Sequence, residues 1–166
     1  TAHGVTCAIN RLALKTSPGP DDISAKLLKL TSHFSASLLA LIFQQSVDTG
    51  CLPEDWKSAY VIPIFKSGDN TQPNNYRPIS LTSICCKLLE HILSTNIMAY
   101  FNLNNLLLNN QHGFRQNFSC QSQLFELITG LHSALNTSRH VDAIFIDFSK
   151  AFDRVPYKRL ELKIRN

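Results

Sequence analysis

VDAIFIDF, residues Val141 to Phe148, consists of six apolar residues interrupted by two aspartates. Its apolar positions fall on both faces of a strand, the pattern of a central strand in a sheet covered on both sides. In that strand Ala143, Phe145 and Asp147 share one face, so a carboxylate emerges at the C-terminal end of a run that is otherwise buried. Two readings of Asp147 stay open on this spacing. It is either a strand-end aspartate that caps the next turn, or an oxygen ligand for Mg²⁺, which prefers one or two carboxylates together with substrate phosphates and water.

Downstream, Phe152 stands five residues after Asp147, as an aromatic beside the carboxylate or as a core residue. Asp153 reads as a cap for the last helix or a partner for Arg154 or Lys158. Pro156 suits the first turn of a helix that continues towards Asn166. From Phe148 to Asn166 there are six basic residues (Lys150, Arg154, Lys158, Arg159, Lys163, Arg165) against Asp153 and Glu161, a surplus equal to the +4 of the whole chain.

Upstream, Ser119 can cap a helix running to about Asn136, with Leu124, Leu127, Ile128, Leu131 and Leu135 inward. The loop before it, QHGFRQNF (Gln111 to Phe118), holds Arg115 between two aromatics; the guanidinium either meets a nucleic-acid backbone or stacks on Phe114 or Phe118. The asparagine-rich stretch Asn102 to Asn110 ends a preceding helix over Leu81 to Phe101, whose apolar positions are Ile84, Leu88, Ile92, Leu93, Ile97, Tyr100 and Phe101. Earlier still, SAYVIPIF (Ser58 to Phe65), the turn KSGDN (Lys66 to Asn70) and the returning NNYRPISL (Asn74 to Leu81) predict a hairpin. Its second arm contains Pro78, which cannot donate to a ladder and marks an edge. Lys66 and Arg77 lie on the two arms, where paired cations can clamp a triphosphate or phosphodiester, or simply remain solvated.

The turn TSPGPDD (Thr16 to Asp22) places aspartates to cap the helix after it. From there Ile23, Leu27, Leu30, Phe34, Leu38, Ile42 and Phe43 form one stripe of a core-facing helix to about Val47, which Gly50 and Pro53 stop. The order is helix, hairpin, helix, helix, strand, helix, which defines an α+β protein.

The chain has 166 residues, 44% hydrophobic and 17% charged, enough apolar surface to bury a core in one domain or a piece of a larger one. No apolar run approaches the roughly 18 residues of a membrane span, and Thr1 to Asn10 lacks the layout of a signal peptide. The five cysteines, Cys7, Cys51, Cys85, Cys86 and Cys120, fit no zinc spacing and no disulfide framework, which points to a reducing compartment inside the cell, nucleus or cytoplasm. Cys85 and Cys86 read as small core fillers. The six histidines form no triad or zinc spacing, and no phosphate-cradling glycine motif occurs.

Taken in order, GPDDISAKLLK (Gly19 to Lys29), DWKSAYVIPIFKSGDN (Asp55 to Asn70) with NYRPISL, CKLLEHIL (Cys86 to Leu93), QHGFRQNFSC (Gln111 to Cys120) and FIDFSKAFDRVP (Phe145 to Pro156) resemble reverse transcriptases of non-LTR (LINE-type) retrotransposons. The resemblance implies the fingers and first part of the palm of a right-hand polymerase, with about 1–110 fingers-like and about 111–166 the start of the palm. It implies that Asp147 is a catalytic Mg²⁺ ligand, that the Phe148 backbone carbonyl is a further ligand, and that two ions act in the complete enzyme. By the same resemblance Phe152 is an aromatic gate under the incoming sugar. Arg77 and Lys66 hold the incoming deoxynucleoside triphosphate, and Gln111, Gly113, Phe114 and Arg115 border an RNA template and DNA primer.

The sequence also departs from the family's pattern. Asp22 and Asn117 stand where glycine is usual, Ser24 where proline is usual, and Phe118 and Cys120 where a basic residue and threonine are usual. No (F/Y)xDD block occurs, so the paired aspartates that complete the metal site are missing. The expectation is therefore the N-terminal fragment of an RNA-directed DNA polymerase, inactive by itself, whose partners include the rest of a polyprotein and no membrane. The rival expectation is a non-catalytic nucleic-acid-binding or interaction remnant of such an element.

Overall fold

A computed structural model describes every residue except Lys150, Asp153 and Asn166. The chain divides into two compact units, Thr1–Leu107 and Leu108–Asn166.

The first unit opens with a helix that the apolar patterning does not predict. α1 (Ala2–Arg11) is capped by Thr1, whose hydroxyl accepts from the Gly4 N–H at 3.3 Å, and it buries Val5 and Ile9 one turn apart. After the TSPGPDD turn come α2 (Ala25–Leu30) and α3 (Ser32–Thr49) in place of one continuous helix. The break is at Thr31, whose hydroxyl donates to the Leu27 carbonyl at 2.8 Å and meets Ser35 Oγ at 2.8 Å. Such back-bonding competes with the helical ladder and bends it. The cap of α2 is Ser24, accepting from the Leu27 N–H at 3.2 Å, rather than either aspartate of the turn.

The buried face of this pair also differs from the expected stripe. Ala25, Leu28, Ala36, Leu39, Phe43 and Ser46 are buried, while Leu27, Leu30, Phe34 and Leu38 face solvent. Of the expected set Phe43 is in the core, with Ile23 and Ile42 half-buried against it. Both faces of α3 carry apolar residues, so periodicity alone cannot choose between them. α1 packs against α3, and the buried face is that of Ala36, Leu39, Phe43 and Ser46.

Gly50, at φ 67°, ends α3 in the left-handed conformation. A 3-10 turn (Glu54–Lys57) then brings Trp56 edge-on to Phe43, ring centroids 5.7 Å apart. β1 (Ala59–Phe65) and β2 (Tyr76–Thr82) form the expected antiparallel hairpin. α4 (Ile84–Leu103) comes next, capped by Ser83, and it buries Ile84, Cys85, Cys86, Leu88 and Leu89 in its first half only; Leu93, Ile97 and Tyr100 are exposed. Burial pushes the Cys85 and Cys86 thiols up to about 11, as suits the inert core fillers expected of them.

The TSPGPDD turn is fastened to the start of α4. A Cβ on Gly19 would lie 2.5 Å from both the Ser83 nitrogen and the Thr82 carbonyl carbon, so the two backbones touch and only glycine fits. Beside this contact the buried Ser83 hydroxyl donates to Asp21 Oδ2 at 2.6 Å.

The second unit contains α5 (Cys120–Asn136) and α6 (Tyr157–Arg165), both where the sequence predicts them. The expected central strand is not there. Val141 to Phe148 joins no ladder, and its Ile144, Phe145, Ile146 and Phe148 side chains are 78–86% exposed. A strand needs partners for its N–H and C=O groups, and among the described residues the paired strands are β1 and β2 alone. The inward set expected for α5 is likewise uncovered: Leu124, Leu127, Ile128 and Leu135 are exposed. The fold is thus mixed helix and sheet, as expected at that level. No helix among the described residues is long and apolar enough to cross a membrane.

Candidate nucleic-acid interface

In the hairpin, Pro63 faces Pro78 and Ile64 faces Arg77. One position beyond the last strand pair, the Lys66 N–H donates to the Asn75 carbonyl at 2.8 Å. Antiparallel ladders alternate hydrogen-bonded and non-bonded pairs, so counting back from 66/75 makes 63/78 a non-bonded pair. Neither proline is asked for an N–H, and this is why two prolines are tolerated within seven-residue strands. The same count places Lys66, Ile64 and Ile62 on one face with Arg77 and Ile79. Both cations are exposed there, and neither makes an ion pair among the described residues.

The loop between the strands is internally bonded. Asp69 Oδ1 accepts from the Thr71 N–H and hydroxyl at 2.9 and 2.8 Å, bonds that hold its carboxyl below the usual carboxylate range. Asn75 Nδ2 donates to the Asp69 carbonyl at 2.8 Å, and the Tyr76 hydroxyl donates to the Asn70 carbonyl at 2.8 Å. The tip that carries the cations is pre-shaped.

In the second unit, QHGFRQNF folds back on the start of α5. Ser119 and Ser122 form a reciprocal capping box, with the Ser122 N–H donating to Ser119 Oγ and the Ser119 N–H to Ser122 Oγ. Arg115 stacks on the second of its two flanking aromatics. Its guanidinium lies 4.5 Å over the Phe118 ring and donates to the Leu108 carbonyl at 2.9 Å. Gln111 Nε2 donates to the Gly113 carbonyl at 3.4 Å. Among the described residues Gly113 has no neighbour that a Cβ would meet, so no contact there requires glycine. Phe114, at φ 59° and 86% exposed, meets the edge of Phe152 with ring centroids 5.8 Å apart. The expected template residue and the expected sugar gate therefore stand together, and Phe114 also lines an open cleft of about 590 Å³ with Phe118, Leu124 and Leu127.

Sequence reasoning missed His112. It is 8% exposed, with Nδ1 2.7 Å from Ser122 Oγ and Nε2 2.8 Å from Glu126 Oε2. The available signal was the spacing of Ser122 and Glu126, four apart on one helix face.

Asp147 and Phe148 lie on the exposed segment that has no regular secondary structure. Two Mg²⁺ ions need several carboxylate oxygens, and among the described residues no three His, Cys, Asp or Glu side chains gather in a way that could hold a metal. Asp147 stands without further carboxylates among the described residues, in keeping with the missing (F/Y)xDD block. Asp153, expected to cap the last helix, lies outside the described residues.

Residues 64–165 match the family described as reverse transcriptase (RNA-dependent DNA polymerase), and the chain belongs to that family. Among its relatives, a Drosophila melanogaster protein named "Probable RNA-directed DNA polymerase from transposon BS" is 34% identical over 95% of this chain and 18% of its own length. The RNA-directed DNA polymerase from mobile element jockey of the same species is 30% identical over 99% of this chain and 18% of its own length. The Drosophila melanogaster retrovirus-related Pol polyprotein from type-2 retrotransposable element R2DM is 26% identical over 89% of this chain and 13% of its own length. The chain thus spans less than a fifth of each of these relatives.

Proposed function

We propose that this chain is the fingers and the beginning of the palm of an RNA-directed DNA polymerase of a non-LTR retrotransposon, with the division near residue 110, working with later segments of a longer polyprotein. The observation that carries this is the hairpin register, which puts Lys66 and Arg77 on one exposed face at the end of a pre-shaped tip. Two exposed cations on one face, with no ion-pair partner among the described residues, suit the triphosphate of an incoming deoxynucleotide, whose charge they neutralise. Phe114 and Phe152 supply apolar ring surface for a base or sugar, and the bare backbone at Gly113 leaves room for template or primer beside them. Asp147, with the Phe148 carbonyl, contributes a ligand to a divalent-metal centre whose remaining carboxylates come from outside this sequence.

The test is primer extension by the complete reading frame carrying this chain. Arg77→Ala is expected to raise KM for deoxynucleotide about tenfold or more with a smaller change in kcat, since a charge-assisted bond to phosphate is worth about 1.5–3 kcal/mol. Asp147→Asn keeps the side-chain shape and removes a charge on which a hard-cation site depends, so synthesis should fall by more than about a thousandfold. Full activity in Asp147→Asn refutes the polymerase role of that carboxylate, and an unchanged KM in Arg77→Ala refutes the hairpin clamp.

A further inference from the structure

We propose that His112 is the positioning residue of the Gln111–Phe118 loop, holding Phe114 and the Arg115–Phe118 pair in place by bridging two positions on the first turns of α5. The inference rests on the proposed contact between this loop and nucleic acid. His112 is the one buried side chain of the second unit among the described residues, in a unit whose apolar side chains are otherwise exposed or half-buried. Burial without an apolar core around it needs another cause, and both ring nitrogens supply one. A carboxylate only accepts, so Nε2 donates to Glu126, while Nδ1 lies 2.7 Å from the Ser122 hydroxyl, whose single proton also reaches the Ser119 carbonyl at 2.9 Å.

The Ser122 hydroxyl also accepts from the Ser119 N–H at 2.9 Å. One oxygen therefore completes the helix cap and holds the imidazole, so the cap and the loop cannot move independently. Outward from the ring, His112 meets Phe118 edge to face with centroids 4.8 Å apart, and Phe118 in turn carries the Arg115 guanidinium. The chain of contacts runs from α5 through His112 and Phe118 to Arg115. Phe114, two residues from His112, sits at φ 59°, a conformation that a non-glycine residue keeps only when its surroundings impose it.

The experiment compares His112→Leu and His112→Gln with the unmodified 166-residue chain. Glutamine can still donate to Glu126 and offers Ser122 an amide group, whereas leucine fills space and hydrogen-bonds to neither. Two readouts separate the proposal from the functional reading beneath it. The first is amide exchange of residues 113–118, with nitrogen-detected magnetic resonance of the imidazole. Exchange should rise about tenfold or more in His112→Leu and about threefold or less in His112→Gln, and the wild-type ring should carry a slowly exchanging proton on Nε2. The second is affinity for an RNA/DNA primer–template, expected to fall about tenfold in the leucine variant and to be largely restored by glutamine. Unchanged loop exchange in His112→Leu overturns the proposal. Loosened exchange with equal binding by all three chains overturns the step from loop to nucleic acid. No binding even by wild type overturns the functional reading, while the exchange data still decide the role of His112.

Discussion

Gly19→Ala should be among the most damaging small substitutions in the first unit. Its Cβ would sit 2.5 Å from the Ser83 nitrogen and the Thr82 carbonyl carbon, and 2.8 Å from the Thr82 oxygen. Carbon prefers neighbours at about 3.5–4 Å, so the segments must separate by about 1 Å, and all three obstacles are backbone. Overpacking of this kind costs about 1–3 kcal/mol. The same separation pulls Asp21 from the fully buried Ser83 hydroxyl, 2.6 Å away, and a hydrogen bond to a charged group is worth about 1.5–3 kcal/mol. Together these give about 2.5–6 kcal/mol, or a fall in Tm of about 10 °C or more for a unit of this size.

The assay for Gly19→Ala is already in the chain. Trp56 is the only tryptophan and packs against Phe43 in the core of the first unit, so its fluorescence reports that unit alone through a urea or thermal transition. A double-mutant cycle with Asp21→Asn tests the cause. If Gly19→Ala acts partly by breaking the Asp21–Ser83 bond, the two losses should overlap by about 1–2 kcal/mol. A Tm drop below about 4 °C, or strict additivity, refutes the reasoning.

Asp22, at φ 53°, holds a non-glycine residue in the left-handed region, so Asp22→Gly should raise the Trp56-reported stability by about 0.5–1 kcal/mol and Asp22→Val should lower it. Asn117→Gly, at φ 66° in the second unit, should leave the Trp56 transition where it is. At pH 8 a thiol reagent should label Cys7, Cys51 and Cys120 quickly and Cys85 and Cys86 only on unfolding. Because folding raises the pKa of both buried thiols from 9.0 to about 11, their contribution to stability is intact below pH 9 and is lost as pH rises towards 11; a stability that climbs across that window contradicts the assignment. The 166-residue chain alone should show no primer extension and should bind a hydrophobic dye, since Ile144, Phe145, Ile146 and Phe148 are uncovered; incorporation above a no-enzyme control refutes the first, and absence of dye binding the second.

Features set by a few adjacent residues were legible in the sequence, because their causes are local. Ser119 caps α5 through hydrogen bonds to residues three away. The hairpin forms where β-prone residues flank a turn of Lys66 to Asn70, and α6 begins after Pro156. Even the departures from the family's pattern had local meaning, since Asp22 and Asn117 both stand at positive φ where glycine is free of strain.

Tertiary structure decided what depends on a partner. Which face of α3 is buried is set by α1 beside it, a helix whose role no periodicity within α3 could reveal. His112 is a site residue only because the loop folds onto Ser122 and Glu126. The reading of VDAIFIDF as a strand was sound as a statement of propensity and wrong as a statement of structure. A short run apolar on both faces marks a segment able to pair, but pairing consumes the N–H and C=O groups of a neighbour, and the described residues of the second unit offer none.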